Sequence, residues 1–172
     1  MIRGKVLDVG CGLGEHTILL AALDYDVLGI DYVPSAVEQA RANAAAKGVD
    51  ARFEVADAMN LIPDGRYDTI LDSALFHIFG DDDRASYVAS LRGAVKPGGY
   101  VHVLALSDAG RGFGPQVSEA QVRTAFSDGW ELEALDVTTY RGVVGEAHAE
   151  AFGVAVGTKV DEPAWLARAR RV

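Results

Sequence analysis

A short run near the start of the chain, Val6–Gly14 (VLDVGCGLG), constrains the fold more than any other feature. Its apolar residues lead into an acid and three alternating glycines, and an apolar helical pattern (ILLAAL) follows at once. This order predicts a buried strand, a tight glycine turn and a helix. Glycines let the backbone turn with positive φ, and the helix N-terminus offers free N–H groups to a ligand. The run therefore predicts an α/β protein that binds an adenine nucleotide or nucleoside.

The spacing of the glycines distinguishes two kinds of ligand. Dinucleotide-binding proteins favour G-x-G-x-x-G. Here the pattern is Asp8-x-Gly10-x-Gly12-x-Gly14, which resembles motif I of the class I S-adenosylmethionine-dependent methyltransferases. The resemblance implies that this turn, with Asp8 and Cys11, holds the methionine part of S-adenosylmethionine. His16, in the first helical turn, is expected either to contact the methionine carboxylate or to face solvent.

Composition narrows the class of protein. The 172 residues suit one domain, and 49% of them are apolar, which argues against disorder. A net charge of −9 argues against general binding of nucleic acid or anionic membranes. The single cysteine, Cys11, excludes an internal disulfide and a cysteine-based metal cluster. It is interpreted as a small residue of the turn, with a nucleophile as the alternative. Without a membrane-spanning run or a leader, we expect a soluble, cytoplasmic protein.

Two further acids are candidate cofactor ligands. Val27–Ile30 (VLGI) predicts a second strand that ends at Asp31, 21 positions after Gly10. A carboxylate there faces the ribose hydroxyls of an adenosine ligand, and Tyr32 is expected to flank the ring. After a third strand, Ala51–Val55, the methyltransferase resemblance implies that Asp57 pairs with the adenine amino group and that Ala58 lies nearby. The alternative role of Asp57 is a helix or turn cap.

The fourth predicted strand, Tyr67–Ser73, points to the place of the methyl acceptor. Carboxyl ends of the first and fourth strands flank the switch point where open α/β sheets bind ligands. We therefore expect Asp72 and Ser73 beside the cofactor, and Leu75, Phe76 and His77 beside the acceptor. His77 is the candidate general base, and ordinary packing is its alternative role. The triplet 81–83 (DDD) is interpreted as a helix start, with a metal site as the less favoured alternative.

The rest of the chain supplies the outer elements. A helix (RASYVASLRGAV), a K-P-G-G turn and a strand over Tyr100–Leu106 form another signature of the methyltransferases. The glycine-rich segment 107–116 is expected to close on a substrate, with Phe113 as its apolar wall. Ser118 and Gln121 predict a capping box. The chain is expected to end in two antiparallel strands, at 129–140 and about 147–156, and a final helix from Glu162 or Pro163 to Arg171, with the basic residues on its solvated face.

Five strands that alternate with helices, followed by a hairpin, match the seven-stranded sheet of the class I methyltransferases. The resemblance implies a Rossmann-like three-layer sandwich, with a mostly parallel sheet of order 3-2-1-4-5-7-6 and a C-terminal antiparallel hairpin. Residues 1–172 are expected to form a single class I methyltransferase domain that lacks the usual N-terminal cover segment. Three stretches, 72–91 (DSALFHIFGDDDRASYVASL), the K-P-G-G turn and 114–126 (GPQVSEAQVRTAF), resemble those of bacterial small-molecule methyltransferases of the thiopurine and thiol or halide type.

The resemblance implies transfer of a methyl group from S-adenosylmethionine to O, N or S of a small, aromatic or heterocyclic molecule. S-adenosylhomocysteine would be the product, and neither metal, nucleic acid nor membrane is expected to take part. Two alternatives stay open: a non-catalytic or partner-activated subunit that binds S-adenosylmethionine, and a nicotinamide-dependent oxidoreductase. The glycine spacing, the D-A-M run and the K-P-G-G turn count against the oxidoreductase.

Overall fold

A computed structural model describes all 172 residues, which form one seven-stranded sheet with helices on both faces. The strands are β1 (Val6–Val9), β2 (Val27–Asp31), β3 (Arg52–Val55), β4 (Tyr67–Ser73), β5 (Val95–Leu106), β6 (Trp130–Val143) and β7 (Lys159–Arg171). The helices are α1 (Glu15–Ala22), α2 (Pro34–Ala46), α3 (Asp81–Ala94), α4 (Glu119–Ala125) and α5 (Glu146–Phe152). Two short 3-10 turns lie at Ala58–Asn60 and Phe76–Ile78.

The sheet has the order β3-β2-β1-β4-β5-β7-β6, as predicted. Strands β1 to β5 pair in parallel, and β7 runs antiparallel to both of its neighbours, β5 and β6. The order reverses between β1 and β4, because β2 lies on one side of β1 and β4 on the other. The crevice expected for a ligand therefore lies at the carboxyl ends of these two strands.

Alternation along β1 explains how the two faces are covered. Val6 packs with Leu20 of α1, whereas Leu7 and Val9 belong to the large core cluster that includes Tyr87 of α3. Successive side chains of a strand point to opposite faces, so one short strand anchors a helix on each side. All four residues of β1 are buried, which fits a central parallel strand.

The predicted C-terminal hairpin is present, and its first strand is β6, but the prediction for the residues after β6 is wrong. The segment expected to be a final helix is strand β7, and the segment expected to be the second hairpin strand contains α5. Ala167 and Ala169 of β7 are buried, whereas Arg168 and Arg170 alternate with them and form ion pairs with Glu133 of β6. Alanine and arginine favour helices on their own, but the period-two pattern and the pairing partners on both sides decide the structure.

Helix starts agree more closely with the prediction. Ser118 and Gln121 form the expected capping box at α4, and Pro34 is the first residue of α2. The 81–83 acids lie in the first turn of α3, while Gly80 is its N-cap. Asp81 accepts hydrogen bonds from Arg84 and Gln121, so its carboxylate joins α3 to α4. None of the helices is both long and apolar enough to cross a membrane.

Candidate cofactor and acceptor site

The glycine turn between β1 and α1 has the conformation that its sequence predicts. Gly10, Gly12 and Gly14 all have positive φ, at 63°, 51° and 84°. The N–H of Gly14 closes the turn onto the Cys11 carbonyl oxygen at 2.8 Å, and Gly14 is also the N-cap of α1. A side chain at Gly12 would meet no atom within 4 Å, because that position opens onto free space. The turn therefore presents bare main chain to a ligand.

Asp31 ties the end of β2 to this turn. Its Oδ2 accepts a hydrogen bond from the Gly12 N–H, and its Oδ1 accepts one from the Val33 N–H, both at 2.9 Å. A carboxylate has about four lone-pair positions, so each oxygen retains capacity for one more donor. The geometry thus leaves Asp31 able to accept two hydroxyl groups at the edge of the turn.

A cavity of about 470 Å³ lies against the glycine turn. This volume is within the range of small-molecule sites. The lining residues are Asp8, Gly10, Cys11, Gly12, Leu13, Glu15, His16, Ser73, Leu104, Tyr140 and Arg141. Six of the predicted site residues, from β1, the turn, α1 and β4, are therefore brought together here.

The chemistry of two lining residues is set by burial. Asp8, only 2% exposed, accepts a hydrogen bond from the Thr17 hydroxyl at 2.6 Å, and burial raises the pKa of its carboxyl group. Burial, together with the carboxylates of Asp8 and Asp31, raises the pKa of the Cys11 thiol to about 12. A thiol with that pKa remains protonated at neutral pH, which argues against Cys11 as a nucleophile.

The structure places Asp57 away from this cavity. Its Oδ1 accepts the Met59 N–H at 2.8 Å and its Oδ2 accepts the Asn60 amide at 2.6 Å, so it caps the first 3-10 turn. It lines a separate space of about 180 Å³ beneath that turn, and the neighbouring Ala58 is buried. The capping alternative is what the geometry shows, and a role in adenine binding stays a prediction.

Asp72 stabilises the backbone turn that follows β4. It is buried, and its Oδ1 accepts the backbone N–H groups of Leu75 and Phe76 at 2.9 and 3.1 Å. Its Oδ2 accepts the Tyr87 hydroxyl at 2.7 Å. Between Asp72 and Leu75, Ala74 adopts φ +74°, a conformation that costs energy in a residue with a Cβ. Asp72 therefore holds a strained turn and is not among the residues that line the cavity, and a role in cofactor binding stays a prediction.

A pH-dependent stability follows from this burial. Burial raises the pKa of Asp72 from its ordinary 3.8 to about 6, so the carboxyl group stabilises the fold below pH 4 and loses that contribution as pH rises through 6. The difference corresponds to about 3 kcal/mol. We expect the free energy of unfolding of Asp72→Asn, relative to the wild type, to rise by about that amount between pH 4 and pH 7. Urea unfolding at several pH values measures it, and a difference that is constant with pH would contradict it.

His77 and Phe76 lie deeper than the sequence suggests. The placement of Phe76 against the acceptor is corrected, because this side chain is 0% exposed and stacks on Phe126 with ring centroids 5.8 Å apart. His77 is also buried, and its Nδ1 accepts the backbone N–H of Leu106 at 3.1 Å. Burial lowers the pKa of His77 to about 4. The neutral ring therefore carries its proton on Nε2, where it can donate but cannot accept.

Three further predicted residues, Leu75, Tyr32 and Phe113, are not among those that line the cavity. Leu75 packs over Gly10, since a Cβ on that glycine would come within 3.0 Å of Leu75 Cδ2. Tyr32 is 74% exposed beside Asp31. Phe113 lies in the glycine-rich loop against Gly142 of β6, and His148, expected in a hairpin strand, lies on α5.

Five lining residues were not predicted as site residues, and two of them, Tyr140 and Arg141, lie on β6, far from the glycine turn in the sequence. They come close to the glycine turn because β6 continues to Val143. No local pattern in the sequence shows which residues of such a long strand lie beside the turn. The buried Glu162 was missed for a related reason. Its side chain points inward from β7, like those of the buried Val160 and Ala164 on either side. This alternation shows that Glu162 is buried only if the segment is recognised as a strand.

Comparison with known proteins gives concordant results. A family model described as a methyltransferase domain matches residues 6–99. A 2-heptyl-1-hydroxyquinolin-4(1H)-one methyltransferase of Mycobacteroides abscessus is 35% identical over 142 residues, which cover 78% of this chain and 62% of the relative. A demethylmenaquinone methyltransferase of Thermus thermophilus is 34% identical over 103 residues, covering 58% of this chain and 46% of the relative. The chain thus spans less than two thirds of the length of these curated relatives.

Solved structures show the same fold. A protein studied for the conversion of a disulfide bond into a thioacetal group during echinomycin biosynthesis has a TM-score of 0.87 and 35% identity, covering 99% of this chain and 77% of the other. A protein of Methanosarcina mazei described as a SAM-dependent methyltransferase has a TM-score of 0.81 and 17% identity, covering 100% and 94%. At that identity the second likeness concerns the fold alone.

Proposed function

Because the chain belongs to the class I S-adenosylmethionine-dependent methyltransferases, we propose that it transfers a methyl group to O, N or S of a small aromatic or heterocyclic molecule. S-adenosylmethionine is the cofactor of this family. The single observation that carries the proposal is the cavity at the glycine turn, where bare main chain, Asp8 and the Asp31-anchored Gly12 meet at the switch point of the sheet.

The residues of the cavity fit this cofactor. The space in front of Gly12 admits a ligand against the backbone, and the N-terminus of α1 supplies N–H groups for a carboxylate. Asp31 would hold the ribose hydroxyls, and His16 lines the cavity at the first turn of α1. Bound there, the cofactor supplies an electrophilic methyl group for in-line displacement. The protein's own contribution is then alignment and exclusion of water, more than covalent help.

A titration tests the proposal directly. Calorimetry of the purified chain with S-adenosylhomocysteine, and with NADH in parallel, should show micromolar binding of the first alone. Turnover should then be sought with 2-heptyl-1-hydroxyquinolin-4(1H)-one, the compound in the name of the Mycobacteroides relative, and with related aromatic hydroxyls, amines and thiols. Binding of NADH alone would overturn the proposal. Tight binding of S-adenosylhomocysteine without turnover of any acceptor would favour a non-catalytic subunit.

His77 gives a prediction about mechanism. Its Nδ1 is engaged by the Leu106 N–H, so we expect it to act by packing or donation and not as a general base. His77→Ala should cost about 1–3 kcal/mol of stability, because a buried N–H loses its acceptor. His77→Asn places an oxygen on the same side and should recover most of that loss.

The pH dependence of methyl transfer separates the two roles. If His77 only packs or donates, kcat/KM of His77→Asn should follow the same pH profile as the wild type. The general-base hypothesis requires an ionisation in the wild-type profile that this substitution abolishes, and observing that loss would contradict our expectation.

A further inference from the structure

A second structural unit adjoins the cavity, and we refer to it as the lid: the loop 108–116 together with α5. The loop is closed at its base, where the Asp108 N–H donates to the Val117 carbonyl oxygen at 3.1 Å and the Val117 N–H donates to Leu106 at 2.9 Å. Compact surface loops whose ends meet in this way are frequently functional.

Three aromatic rings join the loop to α5. Phe113 of the loop stacks on His148 and on Phe152 of α5, with ring centroids 5.0 and 5.8 Å apart and planes within about 21° of parallel. His148 and Phe152 are one helical turn apart and stack on each other at 5.7 Å. All three rings are only partly buried. This ring cluster therefore offers aromatic surface at the edge of the lid.

An ion pair with a buried carboxylate fastens the lid to the hairpin. Glu162 of β7 is 1% exposed, and its carboxylate accepts hydrogen bonds from the backbone N–H and the Nε of Arg111, at 2.9 and 2.8 Å. The Arg111 side chain is 54% exposed, and its guanidinium lies over the Phe152 ring at 5.2 Å. One loop residue thus contacts both β7 and α5. A buried carboxylate that loses its partner is strongly unfavourable, so the contact is selective for the closed arrangement.

The ring cluster contacts β6 close to the residues of that strand that line the cavity. Tyr140 lines the cavity, and Gly142, two residues further along β6, projects from the same face of the strand. A Cβ at Gly142 would come within 2.4 Å of the Phe113 ring, so Phe113 lies directly on this glycine. The cluster therefore contacts β6 two residues from Tyr140 and next to Arg141, both of which line the cavity.

Few side-chain contacts attach α5 to the rest of the protein. This helix contains no fully buried residue, so its side-chain anchorage depends on the rings and on Arg111. Segments with few buried contacts open at low free-energy cost. A helix held in this way can separate from the loop and admit a flat molecule beside the rings.

We propose that Phe113, His148 and Phe152 recognise a flat aromatic ring of the methyl acceptor. In this proposal Glu162 is a positioning residue, because it holds Arg111, which in turn keeps the rings in place. This deepens the proposed function and rests on it. Offset stacking on parallel rings favours an aromatic ligand over a saturated one of similar size. The acceptor class is therefore an aromatic or heteroaromatic ring, and specificity for it resides in the lid.

The test compares two probes on the full chain saturated with S-adenosylhomocysteine: quinolin-4(1H)-one and its saturated analogue, decahydroquinolin-4-one. We expect the wild type to bind the aromatic probe at least tenfold more tightly. Phe113→Leu and Phe152→Leu should each reduce that preference several-fold while changing the affinity for S-adenosylhomocysteine less than twofold. Val156→Ala, at an exposed position just beyond α5, is the control and should retain the preference.

The contact between Glu162 and Arg111 is tested by hydrogen exchange without ligand and then by the same pair of probes. Glu162→Gln should raise the hydrogen-exchange rate of backbone amides in 146–152 at least tenfold and should also lower the preference for the aromatic probe. Asp161→Asn, the adjacent exposed acid that pairs with Arg141, is the matched control and should leave exchange there unchanged. Unaltered exchange in Glu162→Gln, or a preference that survives loss of the rings or is absent from the wild type, would overturn this proposal. Failure to bind S-adenosylhomocysteine would instead overturn the proposed function.

Discussion

Replacing Asp31 with alanine is expected to weaken binding of S-adenosylhomocysteine about a hundredfold. Two hydrogen bonds from hydroxyl groups to a carboxylate contribute about 3 kcal/mol together, which corresponds to that factor. The same substitution releases the Gly12 N–H, which Asp31 holds at 2.9 Å, so the turn loses an anchor as well as a ligand contact. Calorimetric titration measures the affinity, and urea unfolding shows how much of the change reflects a loosened turn.

Two companion variants make this result interpretable. Asp31→Asn keeps one oxygen but loses the charge and the second acceptor, and it should weaken binding about tenfold. Asp26→Ala removes an exposed acid just before the amino end of the same strand, where it pairs with Arg52, and should change the affinity less than twofold. Equal affinities of the wild type and Asp31→Ala would show that the ribose contact has been assigned to the wrong residue.

The parts of the fold that the sequence predicted well are those decided by local pattern. The glycine spacing fixes the turn after β1. Strand β4 has the predicted bounds, because its central residues Thr69–Leu71 favour a strand and the turn-forming residues Pro63, Asp64 and Gly65 come just before it. Strand β7 was missed because its structure is non-local. Its alternating alanines and arginines acquire a strand conformation from pairing with β5 and β6, and nothing within the segment records those neighbours.

The predictions for the site show the same difference between local and non-local signals. Gly10, Cys11 and Gly12 of the glycine turn line the cavity, since their backbone conformation and position follow from the motif itself, and their contact with the cofactor stays a prediction. The acids after β3 and β4 were harder, because a carboxylate at a strand end serves equally to bind a ligand or to cap a turn. The structure shows Asp57 and Asp72 accepting backbone N–H groups. The positions of the β6 cavity residues and of the lid depend on how far the hairpin extends. The sequence does not show this, because it is a property of the assembled sheet.

Gly14→Ala is expected to destabilise the protein by about 3 kcal/mol, through two effects that the structure separates. Gly14 has φ +84°, which is unfavourable for alanine. In addition, a Cβ would come within 2.7 Å of the Phe53 ring and 3.0 Å of Ala40, in a buried cluster that has little room to move. For a domain of this size the loss corresponds to a fall in Tm of about 10 °C.

Other glycines of the chain provide the controls. Gly12 also has positive φ, but its Cβ would meet open space at the cavity, so Gly12→Ala should cost only about 1 kcal/mol of stability while weakening S-adenosylhomocysteine binding at least tenfold. Gly80, the N-cap of α3, has φ −66° and faces open space, so alanine there should cost only about 0.5–1 kcal/mol of stability and leave the affinity for S-adenosylhomocysteine unchanged. Calorimetric unfolding and titration of the three variants would then separate the packing role of Gly14 from the ligand-facing role of Gly12. If Gly12→Ala bound S-adenosylhomocysteine as well as the wild type, the cofactor could not lie against the turn, and the site would have to be sought elsewhere along the switch point.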